Sequence, residues 1–260
     1  MKRTAATAIL LSTLVACQGG GPQMGHISVR LTDAPLAGVA SATVWVSQVY
    51  LVPGRFVISS TPVSYDLLDL QSGVTASLGA ADIPVGDYEQ LRLVVDSAVL
   101  TLADGSTFSD GSNTKTLKVP SGMQTGIKVN FGGPIHVAPG ETDLVVDFDV
   151  SRNFVFTGVA SHPDGVLFKP VLHGSVQDVA GSISGTSLPA SAKGKLFAIL
   201  GTDTVTTALA DTVSGAYALL FLPPGSYTVA DSAPGFKTQT QTVTVGAAEH
   251  VTGVDFTLSP

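Results

Sequence analysis

Aspartates are the residues of this 260-residue chain whose spacing best suits chemistry. Asp143, Asp147 and Asp149 lie at even separations among apolar neighbours, so on a β-strand their carboxylates leave from one face. With Asp33 or Asp69 alongside, they could gather oxygens around calcium. The competing reading is a solvated strand face whose partners are Arg92 or Lys169. The loop from Asp104-Gly105-Ser106 to Asp110-Gly111-Ser112-Asn113 lacks the spacing of a calcium loop and reads as hairpin turns. His26, His136, His162, His173 and His250 are scattered, with no HExxH or HxH pair to set two imidazoles on one metal. Gly181-Ser182-Ile183-Ser184-Gly185 resembles a nucleophile turn only superficially: GxSxG needs serine at its centre, where Ile183 sits, and the segment reads as linker. No catalytic residue, metal ligand or cofactor is assigned on this basis, although paired acids for glycoside hydrolysis stay open as an alternative.

Flat aromatic rings stack on sugars, so exposed aromatics would be a second kind of site. Trp45 is expected in the core, because the face it takes on a strand includes Val49 and Leu51. Phe154 and Phe156 share a face in a less regular segment and are the expected exposed pair, hence the candidate ligand-binding residues.

Cys17 is the only cysteine. Ahead of it stand Lys2 and Arg3, then an apolar stretch through Leu10-Leu11 to Leu14-Val15-Ala16, which is the layout of a secretory signal. The apolar run is too short to span a bilayer, which takes roughly 20 residues. Leu14-Val15-Ala16-Cys17 resembles the bacterial lipobox, and that resemblance implies cleavage after Ala16 and lipid on Cys17. Residues 1–16 are then the signal peptide and 17–25 the anchored tether. A multiply acylated cysteine holds a membrane without further help from the chain. Gln18 follows, where aspartate would favour inner-membrane retention, so the outer membrane is the expected address. With Cys17 lipidated, no thiol remains for a disulfide or a nucleophile.

Loss of Lys2 and Arg3 leaves 11 basic against 20 acidic residues and no basic run, which argues against nucleic acid as a partner. Charged residues make up only 13% of the chain, so stability has to come from apolar cores. Apolar and polar residues alternate in runs such as Ile27-Ser28-Val29-Arg30-Leu31, Thr43 to Leu51, Tyr88 to Leu100 and Leu144 to Val150, separated by Gly and Pro turns. The fold class is all-β, with a short helix conceivable only at Val74 to Ala81. After His173 the composition shifts to Gly, Ser, Thr and Ala, placing two consecutive β-sandwich-like domains at residues 26–175 and 181–260. Ile83-Pro84-Val85-Gly86-Asp87-Tyr88 and Leu222-Pro223-Pro224-Gly225-Ser226-Tyr227 echo each other across the two. In each, glycine is expected at a type II turn and the tyrosine ring in the core.

Leu31-Thr32-Asp33-Ala34-Pro35, Asp66-Leu67-Leu68-Asp69-Leu70, the first echo segment with Leu91-Arg92-Leu93, Pro120-Ser121-Gly122, Gly126-Ile127-Lys128-Val129, Asp147-Phe148-Asp149 and Lys169-Pro170-Val171 occur in one order. Together they resemble the DUF4382 family of envelope proteins, which implies no known catalytic or binding residue. Asp211 to Tyr217, the second echo segment, Ala233-Pro234-Gly235-Phe236 and Val254 to Leu258 resemble the carboxypeptidase regulatory-like domain. That resemblance implies a small prealbumin-like sandwich acting as accessory or spacer. The function expected is a non-catalytic, lipid-anchored envelope protein that displays a β surface to a protein or polymer partner. A carbohydrate-binding module and a hydrolase with an acidic site are the alternatives.

Overall fold

A computed structural model describes residues 21–34, 38–103, 105–117, 119, 125–159 and 162–260. The leader, Cys17 and Pro120-Ser121-Gly122 lie outside the described residues. In chain order the first domain holds β1 (Met24–Thr32), β2 (Val39–Val52), β3 (Phe56–Ser59), β4 (Val63–Asp66), β5 (Ala76–Pro84), β6 (Gly86–Tyr88), β7 (Gln90–Leu102), β8 (Thr114–Leu117), β9 (Ile127–Asn130), β10 (Ile135–Val137), β11 (Glu141–Asp147), a one-turn helix α1 (Val150–Asn153), β12 (Phe154–Val159), β13 (His162–Phe168) and β14 (Leu172–Val176). Ten of these strands form one sheet in the order β3-β2-β7-β9-β14-β11-β1-β5, with β4 added to β2 and β8 to β7. Most neighbours are antiparallel; β1 with β11 and β9 with β14 run parallel.

The sheet curls until its two ends approach. A Cβ on Gly79 of β5 would stand 2.6 Å from the Cβ of Ser59 on β3, so only glycine lets these strands pass so close. The first domain therefore encloses its core by bending one sheet. Ile27, Val29 and Leu31 point into that core and are fully buried, as their alternation requires, alongside Leu91, Leu93, Leu144 and Val146. Each such side chain contributes roughly 1.5–3 kcal/mol. Val74 to Ala81 is not helical: from Ala76 onward it is the start of β5, where pairing to β1 supplies the hydrogen bonds.

The second domain holds β15 (Gly181–Leu188), β16 (Lys195–Leu200), β17 (Asp203–Leu209), β18 (Ala216–Leu222), β19 (Gly225–Ser232), β20 (Gln239–Val245), β21 (His250–Val251) and β22 (Phe256–Thr257). One sheet is ordered β18-β15-β21 with β22 also on β15, and the other β17-β16-β19-β20, a sandwich of two four-stranded layers. Gly181 to Gly185, read from the sequence as linker, instead opens the central strand β15.

The echo segments fold alike. Tyr88 and Tyr227 are both buried, and each phenol donates a hydrogen bond four residues back, to the Pro84 carbonyl at 2.7 Å and the Pro223 carbonyl at 2.6 Å. The expected type II glycine is absent from both. Gly86 has φ of 153° rather than about 80°, and Gly225 is not in the positive-φ region. A Cβ there would stand 3.0 Å from Leu200 Cδ1.

Trp45 also departs from expectation. It is 36% exposed while Val44 and Val46 are buried. Register shifts between Trp45 and Val46 and between Val46 and Gln48 reset the alternation, so Val49 and Leu51 enter the core from a different phase.

Candidate functional site: an acidic cleft between the domains

β1 and β11 end side by side at the boundary with the second domain. Pairing aligns Thr32 with Asp147, Asp147 with His173 on β14, and His173 with Asn130 on β9, a polar row across four strand ends. The chain continues from β1 into Asp33 and from β11 into Asp149. Asp33 Oδ1 accepts a 2.8 Å hydrogen bond from the Val150 N–H at the start of α1, and Asp147 Oδ1 accepts one of 3.0 Å from the Asp149 N–H. Asp149 takes φ of 42°, a left-handed backbone that costs a non-glycine residue about 1 kcal/mol or more. Its side chain is held by Ser151, whose hydroxyl donates at 2.6 Å.

The second domain closes over this row. Ser151 Oγ lies 3.3 Å from Thr207 Oγ1. Arg152 donates to the Thr204 carbonyl and approaches Asp203 at 4.0 Å, and His173 Nε2 lies 3.7 Å from the other oxygen of Asp203. The domains also meet at Gly73, where a Cβ would stand 2.8 Å from Leu220 Cδ1. Between them remains a cavity of about 450 Å³. Thr32, Asp33, Ser72 and Asp147 line it from the first domain, and Thr206, Thr207, Asp211, Tyr217 and Phe221 from the second.

Burial governs the charges here. Asp33 is 5% exposed, and its Oδ2 has no hydrogen-bond partner; the same holds for Oδ2 of Asp149, 2% exposed. Desolvation pushes the Asp33 carboxyl well above the usual carboxylate range, with the Asp147 charge adding to it. Asp147 is pushed up to about 7 by desolvation and by its neighbour Asp149, against a stabilising hydrogen bond from Thr206. Asp149 is raised, chiefly by burial. Burial also holds His173 and Lys195 below their ordinary values.

The carboxylates anticipated as a cluster are thus only partly united. Asp147 and Asp149 meet Asp33 at the boundary, while Asp143, further back on β11, is bound to Ser28, and Asp69 is exposed elsewhere. Among the described residues no three of His, Cys, Asp or Glu converge to hold one metal ion. Arg152, Lys195, Thr206 and Thr207 were not singled out from the sequence, and His173 was weighed there only as a metal ligand, because their role depends on the second domain folding back over strand ends far away in the chain.

Of the expected aromatic pair, Phe154 is buried at 2% exposure, its ring 5.1 Å from that of Phe168, and only Phe156 is open, at 38%. Phe154 sits where the β12–β13 hairpin leaves the core, and Phe156 two residues out. Ser182 Oγ lies 2.9 Å from His250 Nδ1 on the exposed side of β15. Neither residue lines the cleft. Among the described residues no helix is long and apolar enough to cross a membrane.

Comparison with known proteins places a family model, Domain of unknown function (DUF4382), on residues 24–170, and a second, Carboxypeptidase regulatory-like domain, on residues 171–259. β14 falls under the second model although it pairs within the first domain's sheet. No curated protein matches. Among solved structures, the Bacillus anthracis TIE protein is similar at 11% identity with a TM-score of 0.26, over 91% of this chain and 34% of that one. The chain thus spans about a third of the length of that protein. The major pilin protein (T-13) from Streptococcus pyogenes is similar at 12% identity with a TM-score of 0.19, over 92% and 99%. At these scores neither likeness bears on the site.

Proposed function

The chain belongs to the DUF4382 family, followed by a carboxypeptidase regulatory-like domain, and on that footing we infer that it is a non-catalytic, lipid-anchored envelope protein whose interdomain cleft binds a protein or polymer partner. The observation that carries the reading is the cleft itself. It is built by both domains, is large enough for a side chain or a sugar unit, and is lined by carboxyls and hydroxyls, the kind of concave surface on which ligands are held. Anchoring through Cys17, beyond a short Gly-rich tether, would leave both domains free to meet the partner from the outer membrane.

The test is to fill the cleft. Ala218 lines it and is exposed, so Ala218→Trp should block it while keeping the fold. Retention of envelope proteins and glycans by the full chain should fall about tenfold, a loss of about 1.4 kcal/mol. Unchanged retention of every partner would remove the cleft from consideration.

A second reading, a carbohydrate-binding module, is favoured by Trp45. Its half-exposed ring stands on the outer face of the sheet with Ser64 and Ser97 as cross-strand neighbours, a flat apolar surface edged by hydroxyls. On a glycan array, Trp45→Ala should abolish any signal that depends on this face. A signal that survives the change rejects it.

A further inference from the structure

We propose that the cleft receives the ammonium group of a lysine carried on an extended peptide, which Asp33, Asp147, Thr206 and Thr207 hold at its tip. The proposal rests on the cleft being the binding surface, and it names the chemistry of the partner. Three carboxylates, Asp33, Asp147 and Asp211, line the cavity, and among the described residues no lysine, arginine or histidine does. The nearby cations are engaged or set apart. Arg152 is committed to the Thr204 carbonyl and Asp203, and Lys195 faces the ring of Phe197 at 5.3 Å and the charge of Asp149.

Asp33 supplies an observation separate from the charge count. It lines the cavity, is 5% exposed, and its Oδ2 has no partner among the described residues. A buried acceptor without a donor is destabilising, and a ligand that brings the donor recovers that loss. The missing group has to be cationic, to match the carboxylates. It also has to be a hydrogen-bond donor rather than a metal ion, because no three metal-ligating side chains converge among the described residues. A primary ammonium carries three N–H donors at the end of a flexible stem and needs no fixed coordination shell.

The walls indicate what bears the ammonium. Thr206, Thr207, Ala208 and Leu209 belong to β17, and Ala216, Tyr217 and Ala218 to β18. Each of these strands is the edge of its sheet, but the first domain covers β17 through Arg152 on the Thr204 carbonyl and Ser151 on Thr207, so the open edge is β18, exposed at Ala216 and Ala218. An extended peptide can pair with the β18 edge while one side chain enters the acidic pocket.

The experiment is calorimetric titration of the full chain with an acetylated, amidated Thr-Val-Lys-Val-Thr peptide and with the same peptide bearing norleucine in place of lysine. The lysine peptide should bind at least about tenfold tighter, and more tightly at about pH 8 than at about pH 5.5, because the carboxyls that face it must be ionised. The groups that face Asp147 are Asp33 just after β1, Asp149 beside it, Arg152 of α1, His173 of β14 and Thr206 of β17, while Lys195 of β16 faces Asp149 and Asp203 of β17 faces Arg152 and His173. Asp33→Asn and Asp147→Asn should each abolish the preference, while Asp143→Asn, outside the cavity, should retain it. Should Asp33→Asn fail to fold, the norleucine comparison on the unaltered chain still decides. Equal binding of the two peptides overturns the proposal, as does tighter binding to calcium alone or to a glucosamine oligomer. If the oligomer binds and Ala218→Trp blocks it, the ammonium-peptide inference falls while the cleft remains the binding surface. If Ala218→Trp changes no binding at all, both fall.

Discussion

Asp33 and Val150 lie 117 positions apart in the chain, yet the Val150 N–H donates a 2.8 Å hydrogen bond to Asp33 Oδ1. This bond ties the end of β1 to the turn after β11 and fixes Asp33 with its second oxygen inside the boundary between the domains, without a partner. The outcome is a buried carboxyl that is more stable protonated.

Stability should therefore fall as pH rises across the carboxylate-to-neutral range. For Asp33, Asp147, Asp149 and, within the second domain, Asp231, the folded-state value is raised, chiefly by burial. Acids of this kind contribute stability that is complete below their unfolded value, near 3.8, and lost as pH climbs through the folded value. For Asp147 that window closes at about 7. His173, held low by burial, acts in the opposite sense below about pH 6.5, but it is one group against several. Thermal unfolding should give a melting temperature at least about 5 °C lower at about pH 8 than at about pH 4.5. Asp147→Asn should flatten the slope. A melting temperature that rises over this range would contradict the account.

The paired tyrosine hydrogen bonds give a second prediction. Tyr88→Phe and Tyr227→Phe each remove one phenol bond while keeping the buried ring, so each should cost about 1 kcal/mol. Because the two residues stand in separate cores, the double variant should show the sum of the single losses. Urea denaturation measures both. A loss under about 0.3 kcal/mol at either site would mean that the hydroxyl finds water just as readily.

How far the sequence revealed this arrangement depends on the range of the interactions involved. Alternation in Ile27, Val29 and Leu31 needs only neighbouring residues, and those side chains are in the core. The tyrosine of each echo segment was equally legible as a core residue, although the turn expected to deliver it does not form and its glycine opens the strand itself. Trp45 was misplaced because the register shifts beside it come from pairing with β7, which local alternation does not encode. Phe154 and Phe156 have the same local pattern, and only the point at which the hairpin leaves the core separates them. For the cleft, Asp33, Asp147 and Asp149 were visible as candidates. Their burial was not, because the cover comes from β17 and β18, some 60 or more residues further along.

The two phenylalanines should separate in experiment. Phe154→Ala removes a ring packed against Phe168 in a filled core and should cost about 3–5 kcal/mol. Phe156→Ser changes an exposed position and should stay within about 0.5 kcal/mol of the unaltered chain. Equal losses would show that the hairpin tip is also packed against a surface in solution.

The anchor gives the last prediction. Cys17 is the one thiol of the chain, and Leu14-Val15-Ala16 stands directly before it, so acylation at any other cysteine is impossible. In a bacterial host, the unaltered chain should partition into the detergent phase, and mass spectrometry should find a mature N-terminus that begins at acylated Cys17. Each methylene buried in lipid contributes about 0.8 kcal/mol, and several acyl chains together hold the protein firmly. Cys17→Ser should remove this attachment completely, leaving residues 21–260 with their fold and melting temperature unchanged. A Cys17→Ser chain that still enters the detergent phase would place the membrane contact on the folded domains instead, with the exposed Val155, Phe156 and Leu167 of the β12–β13 hairpin as the first surface to alter.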